Sequence, residues 1–191
     1  MKEHPILFST KMVRAILTGK KTVTRRLSNS WLKVKAGDLL WVRETFAFID
    51  CWDHAKAEMR TSAERLRYRS DFNSNKPDPQ DPTSLWAPSI HMPRWASRIT
   101  LRATADARLK RLQDITEEEA IAEGCSASEE MTAEDLASLG PQELELALAL
   151  GSGAFTAKLE YMQLWDSLNG KTDPWQSNPE VVRIAFKREQ S

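Results

Sequence analysis

Three short apolar segments with strand patterns lie far apart in this chain, and they constrain its fold more than any other feature. Residues 39–42 form an unbroken apolar run, which is typical of a strand buried on both faces. Residues 99–105 and 182–186 alternate apolar and polar side chains, as half-buried strands do. Strands this few and this short, separated by long connections, favour an α+β fold: a small, mostly antiparallel β-barrel with flanking helices.

Two helices are predicted around these strands from their capping signals and periodicity. Ser9 or Thr10 can cap a helix that begins at residue 11, and Gly19 would end it. An amphipathic pattern over residues 156–168 predicts another helix.

The segment 115–124 carries the strongest helix start in the chain. Thr116 is a suitable N-cap, and Glu119 follows at the spacing of a capping box. Gly124 is the expected end of this helix. Glu123 therefore lies in its last turn.

Length and composition predict one folded domain over residues 1–191. The chain has 191 residues, of which 41% are hydrophobic and 28% are charged. These proportions fit a globular protein and exclude a wholly disordered or coiled-coil chain. Polar and proline-rich or acidic composition indicates insertions at about 48–80 and 125–153.

Several function classes are disfavoured by the sequence. No apolar run approaches the roughly 18 residues of a membrane span, and no signal peptide is recognisable, so we expect no membrane association. Cys51 and Cys125 are far apart and form no paired motif, which favours a reducing, cytoplasmic setting. The three histidines show no ligand spacing, so we predict neither metal nor cofactor; the sequence does not determine the oligomeric state.

Charge is distributed unevenly although the totals balance at 27 basic and 27 acidic residues. Residues 1–43 contain ten basic side chains and two acidic ones, whereas residues 114–145 contain eleven acidic side chains and no Lys or Arg. The excess of basic side chains in residues 1–43 suggests an anionic partner, but ordinary solvated surface charges would give the same distribution.

The segment from Gly19 to Arg26, GKKTVTRR, is the most informative for chemistry. A predicted helix stops at the glycine, and a dense run of cations and hydroxyls follows. Backbone amides, threonine hydroxyls and arginine forks together can hold a phosphate or a carboxylate. An exposed basic loop has the same composition, so the spacing alone leaves both interpretations open.

Several separated blocks make the chain resemble the ASCH domain family of the PUA-like superfamily, in its longer, phage-associated branch. The first blocks are GKKTVTRR and, after the Gly37-Asp38 turn, LWVRE at 40–44. The others are WAPSIHMPRWASRI at 86–99, LQDIT at 112–116 with AIAEG at 120–124, and LWDSLNG at 164–170 with Asn178-Pro179.

The resemblance implies a small β-barrel whose cleft binds RNA or nucleosides, and it implies a possible enzyme. Small members of the family remove the acetyl group from N(4)-acetylcytidine with a Lys, a Thr and a Glu. The matching residues here are Lys21, Thr24 and Glu123, and no metal or cofactor is implied. This chain is much longer than those enzymes, so the substrate is left open.

These three residue types suit amide cleavage. A threonine hydroxyl becomes a nucleophile when a base takes its proton, and a lysine with a lowered pKa can be that base. We expect Glu123 to move a proton or to hold Lys21, and Arg26 to stabilise an oxyanion. Glu123 and Thr24 also have ordinary alternative roles. Most glutamates on helices are solvated, and most threonines in turns form hydrogen bonds with their own backbone.

The remaining candidate residues are assigned to substrate binding. Trp95 can stack on a base while Arg94 or Arg98 meets a phosphate, although a purely structural role for the tryptophan is equally compatible. The full substrate-binding set comprises Thr22, Arg26, Arg43, Glu44, His91, Arg94, Trp95 and Arg98.

Three functions are therefore carried forward. The first is an amidohydrolase that acts on an N-acylated cytidine or a related modified nucleoside. The second is a non-catalytic RNA-binding module, whose affinity would fall with added salt. The third is a ribonuclease, an activity also reported within the family.

Overall fold

A computed structural model describes residues 1–48, 66–73, 85–126, 140–141 and 156–189. Their contacts form two compact units. The first comprises Met1–Gly19, Ala36–Thr104 and Phe186–Ser191, and the second comprises Lys20–Lys35 and Ala105–Ala185. Most of the predicted insertions at 48–80 and 125–153 lies outside the described residues, and the assignment of residues 1–191 to one domain stays a prediction.

The sheet of the first unit is built on the apolar run predicted as a buried strand. Strand β1 (Glu3–Leu7) pairs in parallel with β3 (Leu39–Arg43), and β3 pairs antiparallel with β6 (Thr100–Ala103). Strand β6 in turn pairs with the last residues of β8 (Glu180–Arg188). Burial alternates along β1, β3 and β6, so one face of each strand packs into the core.

Helix α1 and a small two-stranded sheet also belong to the described part of this unit. Helix α1 (Thr10–Leu17) begins where the sequence predicts, because the Ser9 hydroxyl accepts a hydrogen bond from the amide of Met12. It ends before Gly19, whose positive φ of 76° a glycine adopts without strain. Strands β4 (Phe46–Phe48) and β5 (Leu66–Tyr68) pair antiparallel over a separate apolar cluster.

The second unit is organised around the first six residues of β8. Strand β2 (Val23–Arg26) pairs with one edge of β8 and β7 (Arg108–Arg111) pairs with the other, both antiparallel. Strand β2 is buried at its first three positions, whereas every residue of β7 is exposed. Two strands with similar basic sequences therefore have opposite environments.

Two helices pack together in the second unit. Helix α2 (Glu117–Ala122) is capped by Thr116, whose hydroxyl accepts from the amide of Glu119, and Glu123 is its C-cap. Helix α3 (Ala157–Asn169) begins against it, since the Glu117 carboxylate accepts hydrogen bonds from the first two amides of α3 at 2.6 and 3.1 Å. Their apolar faces share a core. That core includes Leu112, Ile115, Ala120, Cys125, Leu159, Tyr161, Met162, Trp165, Trp175 and Val181.

The described elements agree with the fold class predicted from the sequence, α+β with mostly antiparallel strands and flanking helices, compatible with a small β-barrel. Only the β1–β3 pair is parallel among the described strands. Of the two interpretations of the GKKTVTRR segment, an exposed loop does not hold for residues 23–26, which form the largely buried strand β2. Within the described ranges, no helix combines the length and apolar character that a membrane crossing requires.

The core of β8 provides a stability test. Ile184 is fully buried, so Ile184→Ala should lower the free energy of unfolding by about 2–5 kcal/mol through lost apolar burial and the remaining cavity. Leu109→Ala, on the exposed strand β7, should change it by less than about 1 kcal/mol. Urea unfolding measures both; equal losses would contradict this burial pattern.

Candidate active site

Lys21 lies two residues before the start of β2, next to the C-terminal end of helix α2. The backbone amide of Thr22 donates to the carbonyl of Ala122 at 2.8 Å, which fixes the two segments side by side. The residue Lys21 is only 2% exposed. A lysine is rarely buried to this extent unless it is paired, so its partners define the site.

Glu123 is the principal partner of Lys21. The Nζ atom of Lys21 donates to Oε2 of Glu123 at 2.5 Å and to the backbone carbonyl of Glu123 at 2.7 Å. The Glu123 side chain is 3% exposed. The structure thus brings together two of the three predicted catalytic residues, from positions about a hundred residues apart, in a buried ion pair.

Three further charged side chains extend this pair. Arg25 donates to Oε1 of Glu123 at 3.0 Å, and its other terminal nitrogen donates to Oε2 of Glu119. Arg183 donates through Nε to Oε1 of Glu119 at 2.8 Å. The result is a chain of alternating charges. We call it the charge relay; its members in order are Lys21, Glu123, Arg25, Glu119 and Arg183.

Burial shifts the pKa of Lys21 downward from its ordinary value. Loss of hydration disfavours the ammonium form, and the nearby Glu123 carboxylate opposes this effect without overcoming it. Arg26 lowers the pKa of Lys21 further, whereas Cys125 raises it. The neutral amine is therefore more accessible than in a solvated lysine, which is the property required of a base.

Tyr161 and Arg26 adjoin the relay. The guanidinium of Arg25 lies over the ring of Tyr161, 5.8 Å from its centroid. Burial and the Glu123 carboxylate raise the pKa of Tyr161 well above its usual value, which keeps this phenol neutral. Burial lowers the pKa of Arg26, and Glu123 acts in the opposite direction.

Thr24, the third predicted catalytic residue, occupies the middle of β2. It is 3% exposed and lies opposite Ile184 on β8. Successive strand residues point to opposite faces, so Thr24 and Arg25 point away from each other. Among the hydrogen bonds of the described residues, none joins the Thr24 hydroxyl to Lys21 or Glu123. The described contacts therefore join Lys21 to the Glu123 carboxylate but do not join the Thr24 hydroxyl to either residue.

The other predicted binding residues divide between the two units. Thr22 and Arg26 belong to the second unit with the relay, and the Thr22 side chain is exposed. The rest belong to the first unit. They are Arg43, Glu44, His91, Arg94, Trp95 and Arg98.

Glu44, which is buried, and Arg98, which is partly exposed, form a separate network. Glu44 is 2% exposed and accepts hydrogen bonds from Ser70 Oγ at 2.5 Å and Arg98 Nε at 3.0 Å. Arg98 also makes a two-point contact with Asp71 and lies 3.9 Å from the ring centroid of Tyr68. Burial alone would lower the pKa of Arg98, but its hydrogen bonds to Asp71 and Glu44 raise it. These contacts are those of a structural ion-pair network.

The remaining first-unit candidates are more accessible. Arg43 donates to the carbonyl of Ile90 and lies over the ring of Trp41, which Arg94 also approaches. Arg94 pairs with Glu3 at 2.9 Å, and His91 and Trp95 are exposed.

Sequence reasoning did not identify Glu119, Arg183 or Tyr161 as site residues, and it included Arg25 only as one of the cations of the GKKTVTRR segment. Glu119 was interpreted as a capping-box residue, yet its carboxylate bonds to Arg25 and Arg183. The available signal was its spacing of four from Glu123, which puts both carboxylates on one face of α2. Arg183 gave no such signal, because its position depends on the β2–β8 register.

Comparison of the chain with protein-family models, with curated proteins and with solved structures finds no match. The described ranges contain no group of three His, Cys, Asp or Glu side chains that could hold a metal ion. The resemblance to the ASCH family stays a prediction. What the site does is accordingly argued from its contacts and charges.

The lowered pKa of Lys21 gives the stability of the protein a specific pH dependence. Between the folded pKa and the unfolded value near 10.5, the unfolded state binds more protons at this residue, so the free energy of unfolding rises with pH. Relative to Lys21→Met, the wild-type protein should therefore gain stability from pH 7 to 10. Its slope cannot exceed about 1.4 kcal/mol per pH unit, the limit for one proton.

Urea unfolding at several pH values measures this difference, and Lys20→Met is the matched control because Lys20 is the exposed neighbour. Relative to Lys20→Met, the wild-type protein should not gain free energy of unfolding over the same pH range. A wild-type advantage over Lys21→Met that is constant or shrinks with pH would contradict the lowered pKa.

Proposed function

We propose that the protein is an amidohydrolase that removes an acyl group from an N-acylated cytidine or a related modified nucleoside. One observation carries the proposal: a fully buried lysine, Lys21, is held by a carboxylate through its Nζ atom and has a pKa below the ordinary value. The residue types of the ASCH amidohydrolases, and their positions in the GKKTVTRR and AIAEG segments, supply the reaction class.

The proposed base is the neutral amine of Lys21. A solvated lysine is almost wholly protonated near neutral pH and cannot accept a proton. Burial shifts this balance towards the amine, while the contacts to Glu123 fix the direction of Nζ. Glu123 in this scheme holds the lysine and stabilises the ammonium that forms when a proton arrives.

The proposed reaction has two stages. The Thr24 hydroxyl oxygen attacks the acyl carbon, its proton moves to Lys21 Nζ, and the carbonyl π electrons move to oxygen. Collapse of this adduct breaks the carbon–nitrogen bond, and the exocyclic nitrogen leaves with the proton from Lys21. Water then hydrolyses the threonine ester by the same proton route, releasing a carboxylic acid and restoring both residues.

Strand geometry sets a condition on this scheme. Thr24 and the Arg25–Glu123 contact lie on opposite faces of β2, and Lys21 precedes the strand. The scheme therefore requires the Lys21 side chain to leave its contacts with Glu123 and to reach the hydroxyl when substrate binds; catalytic hydrogen bonds are often long before substrate binds. Base and nucleophile therefore need separate tests.

The RNA-binding alternative loses support from the basic residues on which it rests. Lys21 and Arg25 are buried in ion pairs. Arg14 donates to the carbonyls of Ser70 and Phe72, and Arg43 donates to another backbone carbonyl. Lys35 pairs with Asp106 at 3.3 Å. At least five of the ten basic side chains of residues 1–43 thus bind groups of the protein itself, which reduces the charge available for phosphates.

Hydrolysis of N(4)-acetylcytidine and N(4)-benzoylcytidine tests the proposal. Lys21→Met and Thr24→Val should each lower kcat/KM by about 100-fold to 10,000-fold, because each removes a group that takes part in bond making or proton transfer. Thr24→Ser should retain activity because it keeps the hydroxyl. Release of cytidine, followed by chromatography, is the measurement.

Lys20→Met is again the matched control, since it removes a neighbouring but exposed lysine from the same segment. It should leave hydrolysis unchanged. Full activity in both Lys21→Met and Thr24→Val would refute the mechanism. Absence of hydrolysis by the wild type, together with RNA binding that weakens as salt is added or with cleavage of RNA, would favour the alternatives.

A further inference from the structure

A row of three arginines crosses the strands of the second unit. Arg25 on β2 is the register partner of Arg183 on β8, which is in turn the register partner of Arg108 on β7. Like charges directly opposite each other destabilise a sheet. Such a row needs a compensating group, most of all at Arg25, whose side chain is only 1% exposed.

Glu119 supplies that compensation from helix α2. Its Oε1 accepts from Arg183 at 2.8 Å and its Oε2 accepts from Arg25, so one carboxylate bridges the two neighbouring arginines. The guanidinium of Arg25 is thereby held at one terminal nitrogen. This leaves its other terminal nitrogen directed at Glu123.

Glu123 is consequently shared between two cations. Its Oε1 accepts from Arg25 and its Oε2 accepts from Lys21. A guanidinium partly neutralises the carboxylate that it binds. That carboxylate therefore attracts an ammonium less strongly than a carboxylate with a single partner does. Arg25 and Lys21 therefore compete for the same negative charge.

We propose that Arg25, which is held by the Glu119 carboxylate that Arg183 also binds, is a positioning residue. It orients the Glu123 carboxylate towards Lys21 and competes with Lys21 for the charge of that carboxylate. The inference rests on the proposed function, in which Lys21 is the base, and assigns Glu119 and Arg183 a part in setting its protonation. Neither residue belongs to the bond-making steps proposed above.

Several other groups surround Lys21, and one of them, Arg26, also interacts with Glu123. Arg26 follows Arg25 on β2 and lowers the pKa of Lys21, whereas Cys125, after helix α2, raises it. Tyr161 faces Glu123 and Arg25 from helix α3 and stays neutral. Each of these groups is retained in the variants chosen below.

The test measures the pKa of Lys21 without using activity. Carbon-13 NMR of lysine-labelled protein follows each side chain through a pH titration, and the Lys21 signal is assigned by its loss in Lys21→Met. Arg25→Gln should raise the pKa of Lys21 by about one unit, since Glu123 then attracts the ammonium alone. Arg183→Gln should raise it by a smaller amount, because Glu119 then draws Arg25 away from Glu123.

Glu119→Gln should shift the pKa of Lys21 in the opposite direction. Arg25 then binds Glu123 more strongly, so less of the carboxylate charge stabilises the ammonium and the pKa of Lys21 falls. Arg108→Gln is the matched control: it removes a cation from the same cross-strand row, but from an exposed position on β7. It should leave the pKa of Lys21 unchanged.

The signs of these shifts decide the inference. If the pKa of Lys21 is the same in Arg183→Gln, Glu119→Gln and Arg108→Gln, the inference is overturned. This result decides even if the buried Arg25→Gln variant does not fold. The expected shifts in a protein that hydrolyses no acylated nucleoside would support the charge sharing while refuting the proposed reaction. In an active protein, the pH at which kcat/KM rises should move upward in Arg183→Gln and downward in Glu119→Gln.

Discussion

Burial of a lysine is the constraint on which the candidate site depends. Removing an ammonium group from water costs several kcal/mol, so the second unit must provide partners for Lys21 or leave it neutral. The structure uses both means, because Glu123 offers two acceptors while desolvation lowers the pKa of Lys21. Glu123 is itself buried and needs Arg25, which in turn needs Glu119. The relay can be understood as the sequence of partners that one buried charge requires.

This dependence explains why the site is assembled from distant parts of the chain. Helix α2 supplies both carboxylates on one face, β2 supplies the buried arginine, and β8 supplies the second arginine. The backbone hydrogen bond from Thr22 to Ala122 holds the start of β2 against the end of α2. Packing of α3 against α2 excludes water from the same region, which strengthens every charge interaction within it. Core packing and site electrostatics are thus properties of the same elements.

Local signals allowed much of the fold to be predicted, and long-range pairing accounts for what was missed. The caps at Ser9 and Thr116 and the amphipathic pattern over residues 156–168 indicate helix positions within a few residues, so α1, α2 and α3 could be located from the sequence. Strand β2 could not be located, because its two arginines and its threonine resemble a solvated loop until the pairing with β8 is known. For the same reason Lys21 and Glu123 could be nominated through a family resemblance, whereas Arg183 could not be found before the strand register was known.

The pairing of β2 with β8 also determines which insertions the chain can accept. Side chains alternate between the two faces of a strand, so adding or removing one residue inside β2, between Val23 and Arg25, would exchange the faces on which the hydroxyl and the guanidinium lie. The hydroxyl would then turn towards helix α2, and the guanidinium would enter the apolar layer beside Ile184. Changes in length are consequently better tolerated at the exposed turn around Gly19 than within β2. Any functional relative of this chain should preserve the parity of the spacing between the lysine and the arginine, even where the intervening residues differ.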